Sequence, residues 1–302
     1  MPFNNAVYDA GRDVIFAVRG GYIFRCNATT GAIIECSRFT VPDFDDTYVV
    51  YAPNVDKLYA TYWHDRQANN DAPVQGYFKI NPDTFAVEAF ITTTGIDDEL
   101  ASGPFGVEYS AGFVWAIYQN NTAEAFSLQK LDPTSDTVLS TTSVDGPSTR
   151  LISQIAVKSS DGSLSMVRRT NVRNYSTVPA LNFSTGSLAR IGFGLAHDLV
   201  NGQYYVVTAT QFVEKCAASA AAVFADIDTG VTDATPRRAR WNSIDGKVYI
   251  PGWKSDSVIV IDPAAADAVT IQTGFDSPYD MVFTPTKKWA VQHGNVGLKE
   301  VA

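Results

Sequence analysis

The chain has 302 residues, 45% of them hydrophobic and 12% aromatic, which is ample for a core and excludes a wholly disordered chain. Only 18% are charged, which excludes a coiled coil, and a formal net charge of -9 argues against a nucleic-acid-binding surface. The longest apolar runs, such as Val258–Ile261 and Ala220–Ala225, are far short of a membrane span, and Met1–Asn5 lacks the basic and apolar regions of a secretory leader.

In chain order, Val14–Val18, Lys57–Thr61, Phe113–Tyr118, Gln203–Thr208 and Lys247–Pro251 alternate with period two and predict half-buried strands. Helical spacing is confined to the alanine-rich stretch Lys215–Val223, which predicts one short helix. A recurring mark overlies the strands: an apolar run ends in Asp or Asn, turn residues follow, and a new strand begins. It reads Cys26-Asn27, Ile80-Asn81-Pro82-Asp83, Leu131-Asp132-Pro133-Thr134, Ile227-Asp228-Thr229-Gly230 and Val260-Ile261-Asp262-Pro263, with a degraded copy at Leu181–Gly186. Asx side chains cap their own backbone, Pro presets φ and Gly supplies positive φ, so each copy suits a tight hairpin. A second mark precedes it at Asp9-Ala10-Gly11, Ala111-Gly112, Asp161-Gly162, Asn201-Gly202 and Asp245-Gly246.

The Asx marks Asn27, Asn81, Asp132, Ser184, Asp228 and Asp262 are spaced 54, 51, 52, 44 and 34 residues apart. Four-strand repeats of about 40–50 residues mark a β-propeller, because one such unit cannot bury both faces alone. Repeats begin near Asn4, Thr47, Pro104, Ser153, Gly194, Arg238 and Pro278. The expectation is an all-β, single-domain, seven-bladed β-propeller of four-stranded antiparallel blades over 1–302. Its last blade has strands only at Tyr279–Thr284, Lys288–Gln292 and Gly297–Ala302.

Gly246-Lys247-Val248-Tyr249-Ile250-Pro251-Gly252, leading into Ser257-Val258-Ile259-Val260-Ile261-Asp262-Pro263, resembles the propeller repeat named for its Tyr-Val-Thr-Asn strand. It is similar, more loosely, to the NHL-type repeat, and Lys57–Thr61 is a second copy of the strand. The resemblance implies a fold and leaves function open, since propellers host lactonases, lyases, receptors and inert scaffolds alike.

Recognition is expected where second-to-third-strand loops and the starts of first strands meet. His64–Gln75, Arg168–Val178 and Gln211–Ala220 read as long loops there. The candidate binding residues are Tyr62, Trp63, His64, Tyr118, Arg168, Arg169, Arg173, Trp253, Lys254 and His293. Exposed Trp, Tyr and Arg suit a protein interface and also sugar stacking. The short last blade offers a partner edge at Leu298, Glu300 and Val301 for strand addition or self-association.

Catalytic patterns are weak. Metal-dependent lactonases resemble this class, but Glu108, Asp198 and Asn242 share a register near the wrong turn, with Asp280 and Gln154 the other candidates. His197 and Asp198, adjacent on a strand, point apart, and Ser160-Asp161-Gly162 is similar to a sialidase Asp-box without its Thr-Trp. Cys26, Cys36 and Cys216 contain no Cys-x-x-Cys, and Cys26 and Cys36 flank one turn at which a bridge could form. The expected protein is a non-enzymatic binding or structural component without cofactor or metal, with other protein chains and a surface glycan as partners. Its expected setting is a virion, as a bacteriophage tail, fibre-attachment or decoration component. A cytoplasmic interaction scaffold and a lactonase- or lyase-type propeller with a central metal are the alternatives.

Overall fold

The computed structural model describes residues 5–38, 47–64, 74–93, 104–120, 125–143, 152–158, 163–168, 170–175, 181–184, 188–208, 210–217, 223–232, 238–294 and 297–302. The described elements are strands, apart from one 3-10 turn at Pro263–Ala265. The first sheet is β1 (Asn5–Asp9), β2 (Val14–Arg19), β3 (Tyr22–Asn27) and β4 (Ile33–Arg38). The second is β5 (Tyr48–Ala52), β6 (Lys57–His64), β7 (Val74–Ile80) and β8 (Val87–Thr92). The third is β9 (Pro104–Ser110), β10 (Phe113–Asn120), β11 (Ala125–Asp132) and β12 (Thr137–Ser143). The fourth is β13 (Ile152–Lys158), β14 (Ser163–Arg168), β15 (Asn171–Tyr175) and β16 (Leu181–Ser184). The fifth is β17 (Gly192–Asp198), β18 (Gln203–Thr208), β19 (Phe212–Ala217) and β20 (Val223–Asp228). The sixth is β21 (Arg240–Asn242), β22 (Lys247–Gly252), β23 (Ser257–Asp262) and β24 (Ala268–Thr273). The seventh has three strands, β25 (Pro278–Phe283), β26 (Lys288–Gln292) and β27 (Gly297–Glu300). Every sheet pairs its strands antiparallel in chain order, so each is one meander.

Asx chemistry sets the turns. Between first and second strands, Asp9 Oδ1 accepts from Gly11 N, Asp198 Oδ1 from Val200 N and Asn201 N, and Asn242 Oδ1 from Ile244 N. Between third and fourth strands, Asn81, Asp132 and Asp262 cap the amides two residues on. Each cap satisfies an amide that the ladder leaves unpaired.

The chain forms two compact units. The first holds Asn4–Asn27 and Ile33–Arg150, and the second holds Met1–Phe3, Ala28–Ala32 and Leu151–Ala302. In the first unit, Phe16, Val18, Leu58, Ala60, Tyr62 and Phe78 form a core between the first and second sheets. Tyr59, Tyr77, Val114, Ala116 and Tyr118 form another between the second and third. In the second unit, β18 divides its side chains: Tyr204 and Val206 join the cluster with Val167, while Tyr205 and Val207 join that with Val248.

Neighbouring sheets are tied by a repeated link. In the first unit, Tyr59 on β6 lies opposite Lys79 on β7. The Tyr59 hydroxyl donates to Asp136 Oδ1 at 2.8 Å and the Lys79 amine to Asp136 Oδ2 at 2.7 Å. In the second unit, Tyr205 on β18 lies opposite Lys215 on β19. They reach Asp267 at 2.8 Å and 2.7 Å in the same way. Asp136 and Asp267 occupy the last position of the next sheet's third-to-fourth turn, with φ 54° and 61°. Asp is among the side chains that tolerate this left-handed backbone. Burial, then the aspartate bond, pushes both phenols up from their ordinary pKa. Also in the second unit, Trp289 Nε1 donates to Ala28 O at 2.9 Å. A Cβ at Gly31 (φ 69°) would lie 2.8 Å from the Trp289 ring.

Several expectations are corrected. Lys215–Ala217 and Val223 are strand where a helix is expected, with 218–222 outside the described residues: Lys215 pairs with Tyr205 on one side and Ala225 on the other, and pairing overrides alanine's propensity. The Asx marks of the fourth and fifth repeats sit one strand late, Asn182–Ser184 within the fourth strand β16 and Asp228 at the end of the fourth strand β20. Asp228 caps Gly230 N on leaving its sheet; an Asx turn serves any strand exit. Arg168 pairs with Asn171 across a tight turn, so the fourth sheet has no long second-to-third loop. In the fifth, only 209–211 separate β18 from β19. Cys26 pairs with Ile33 while Cys36 pairs with Phe24, and both thiols are free.

Candidate functional site

The sixth and seventh sheets bring three of the expected binding residues together. The turn from β22 to β23 carries Trp253 and the exposed Lys254. The turn from β26 to β27 carries His293, and Tyr279 lies at the head of β25. The His293 ring is 5.7 Å from Trp253, edge to face, and 5.6 Å from Tyr279, tilted by 32°. All three rings are half-buried. Arrangements of this kind are favoured by the ring quadrupole.

The backbone beneath is pinned from several sides. His293 N donates to Ser277 O at 3.0 Å and Gly294 N to Asp276 O at 3.3 Å. Asp276 N donates to Gln292 Oε1 and Ser277 N to Asp256 Oδ1, both at 2.8 Å. Asp256 and Ser277 hold φ of 48° and 47°, the left-handed region in which side chains are strained. A Cβ at Gly294 would lie 1.8 Å from Asp276 Oδ1, so that carboxylate rests directly on the glycine backbone. Sequence reading missed Tyr279, Asp256 and Asp276; the signal was Gly294 beside His293, with Ser277-Pro278 starting the strand.

Tyr62 and Tyr118 are packed inside, not displayed: Tyr62 rests on Phe78 and Phe90, and the Tyr118 hydroxyl donates to Gly76 O at 2.9 Å. Arg173 is a half-buried residue within β15, opposite Met166. Trp63 and His64 end β6 and Arg168 ends β14, with side chains outside the described residues, as is all of Arg169 and the stretch 65–73. At the expected partner edge, Leu298 is half-buried and Glu300 pairs with Lys287. Val301 instead lies inside, 1% exposed, among Tyr249, Phe275 and Met281. Gln272 of β24 bonds both backbone groups of Ala302, and the Lys299 amine donates to Gly274 O.

The described lactonase-type candidates are engaged locally. Glu108 pairs with Trp115 in the ladder. Asp198 and Asn242 cap turns. Gln154 belongs to β13, its side chain outside the described residues. Asp280 is fully buried between Arg238 at 2.9 Å and Arg240 at 2.9 Å. Burial pushes its carboxyl up, and Arg240 and Arg238 more than offset this, holding it below the ordinary value. His197 packs its ring 4.7 Å from Tyr204, and Ser160-Asp161-Gly162 lies outside the described residues. Among the described residues no three His, Cys, Asp or Glu side chains gather as a metal site.

No protein-family model matches the sequence, and no curated protein matches it. Solved structures do. A chain of "Crystal Structure of Mitotic Checkpoint Complex", a WD40 propeller, superposes with a TM-score of 0.71 over 98% of this chain and 86% of that one, at 11% identity. The chain is an all-β, seven-bladed β-propeller. At that identity the likeness concerns fold alone. No helix among the described residues is long and apolar enough to cross a membrane.

Proposed function

We propose that this propeller is a non-enzymatic binding scaffold, and that the sixth and seventh sheets present its recognition face. The supporting observation is the Trp253–His293–Tyr279 row with Lys254 beside it on a pinned backbone. Half-buried aromatics on rigid turns are the usual anchors of recognition. A photo-crosslinking residue in place of Lys254 tests it in the native source. The control is the same residue at Val200, which is 80% exposed at the β17–β18 hairpin of the same unit. Capture of a recurring partner at 254 and not at 200 is expected. Capture at 200 alone, or at neither, overturns the reading.

Its finer form is a virion-associated component, such as a bacteriophage tail, fibre-attachment or decoration protein, built on repeats nearest the Tyr-Val-Thr-Asn class. Low charge and a Ser/Thr/Asn/Ala-rich sequence support it, and co-purification with virions tests it. A second reading, strand addition or self-association at β27, draws on the seventh sheet having three strands where the others have four. Val301 N bonds inward to Lys288 O, so the amides of Leu298 and Glu300 face outward; Glu300→Pro would block such pairing, and light scattering of native and variant chains would report it as a loss of mass.

A further inference from the structure

Resting on that reading, we infer that the Trp253–His293–Tyr279 cluster is a subsite for a neutral pyranose chain. A pyranose has an apolar C–H face and a rim of hydroxyls. The cluster has the complementary make-up: three half-buried rings, His293 being 5.7 Å from Trp253 and 5.6 Å from Tyr279, bordered by polar groups of both signs. Lys254 is exposed at one end, and the half-buried Asp276 carboxylate lies against Gly294, next to His293. Here the surround is Lys254, Asp256, Asp276 and Gln292, which suits hydroxyls that both donate and accept.

Preorganisation points the same way. Sugar binding is limited by the cost of ordering flexible groups and stripping water from hydroxyls, so a rigid platform gains most. The two positive-φ residues Asp256 and Ser277 are held by a mutual Oδ1-to-amide bond, and the His293 turn is tied to the same segment. A side chain at Gly294 would meet the Asp276 carboxylate, which would have to shift. Mixed charge at the border disfavours a strongly anionic saccharide, whose carboxylates would oppose Asp276 and Asp256.

The test uses the full chain and four probes: maltohexaose, cellohexaose, chitohexaose and mannohexaose. Binding of at least one is expected by calorimetry at millimolar concentration, with a change in tryptophan fluorescence. Trp253→Ala and Tyr279→Ala should each weaken it by roughly tenfold, the worth of one lost ring contact. Trp253→Phe and Tyr279→Phe should retain most of it, with thermal unfolding unchanged, which separates lost stacking from lost folding. No binding of any probe by the native chain overturns the inference, as does binding that both alanine variants retain. If the crosslinker at 254 still captures a protein partner, the scaffold reading survives alone; with neither signal, both fall.

Discussion

Two links between neighbouring sheets in the first unit fill the same slot with different chemistry. Between the second and third sheets the slot holds Tyr59, Lys79 and Asp136. Between the first and second it holds Phe16 on β2, Arg25 opposite it on β3, and Phe85 at the turn position equivalent to Asp136, with φ 58°. There the Phe16 and Phe85 rings meet edge to face at 6.0 Å, and the Arg25 guanidinium lies 4.7 Å from the Phe85 centroid. Arg25 also donates to the carbonyls of Pro82 and Asp83. The slot therefore conserves a geometry: an aromatic on the second strand, a cation on the third, and a left-handed turn residue to receive both. A carboxylate receives them by charge and hydrogen bond, an aromatic by its negative face.

Removing the second-strand ring should have the largest effect, and the same one in both versions. Tyr59, Tyr205 and Phe16 are each 0% exposed, so replacement by alanine should cost about 3–5 kcal/mol in denaturant unfolding. A much smaller loss at Phe16 than at Tyr59 would break the equivalence. Truncating the receiver comes next. Asp136→Ala or Asp267→Ala takes the carboxylate from the lysine amine and from the phenol, Tyr59 keeping Pro133 O as acceptor, and should cost about 1–3 kcal/mol. The triple change Tyr59→Phe, Lys79→Arg and Asp136→Phe should restore most of the loss of Asp136→Ala if the two chemistries are interchangeable.

Alkali separates the versions more gently. The Tyr59 and Tyr205 phenols have pKa values raised by burial and by Asp136 or Asp267. A raised folded value means that their contribution is whole below the ordinary tyrosine value of 10.0 and is lost as pH climbs beyond it. Urea midpoints at rising pH should therefore fall less steeply for the Tyr59→Phe, Tyr205→Phe pair; identical slopes would contradict the assignment. The smallest effect is chemical. Cys26 follows Arg25 and Cys216 follows Lys215, each one residue past the cation of its link, and burial pushes both thiols up to about 12. At pH 8 an alkylating reagent should modify the exposed Cys36 in the native chain and leave Cys26 and Cys216 untouched. Mass spectrometry of the labelled peptides reads the difference.

Much of the architecture was legible because turn chemistry is local. All seven sheet starts, and the three strands of the last sheet, follow from Asx, Pro and Gly punctuation between alternating runs. What failed was what depends on neighbours. β18 buries both its faces, Tyr204 against one sheet and Tyr205 against the other, so alternation no longer tells an inner from an outer side chain. The same ambiguity made Tyr62 and Tyr118 look available for binding. Lys215 sits in an alanine-rich stretch whose helical preference is overruled by partners on two other strands. In the cluster, Trp253, Lys254 and His293 were readable as turn residues of adjacent repeats. Tyr279 was not, because its place depends on how the β25 head meets the β26–β27 turn.

The reach of the Tyr59 link bears on how the chain is made. Tyr59 and Asp136 are separated by 77 residues, whereas every sheet is a single uninterrupted stretch. During synthesis a sheet can therefore zip up as soon as it clears the ribosome exit, yet the Tyr59 hydroxyl waits for the following sheet's turn to emerge before it meets its acceptor. Assembly of these sheets on the ribosome is thereby given a direction, the second being completed by the third and the fifth by the sixth.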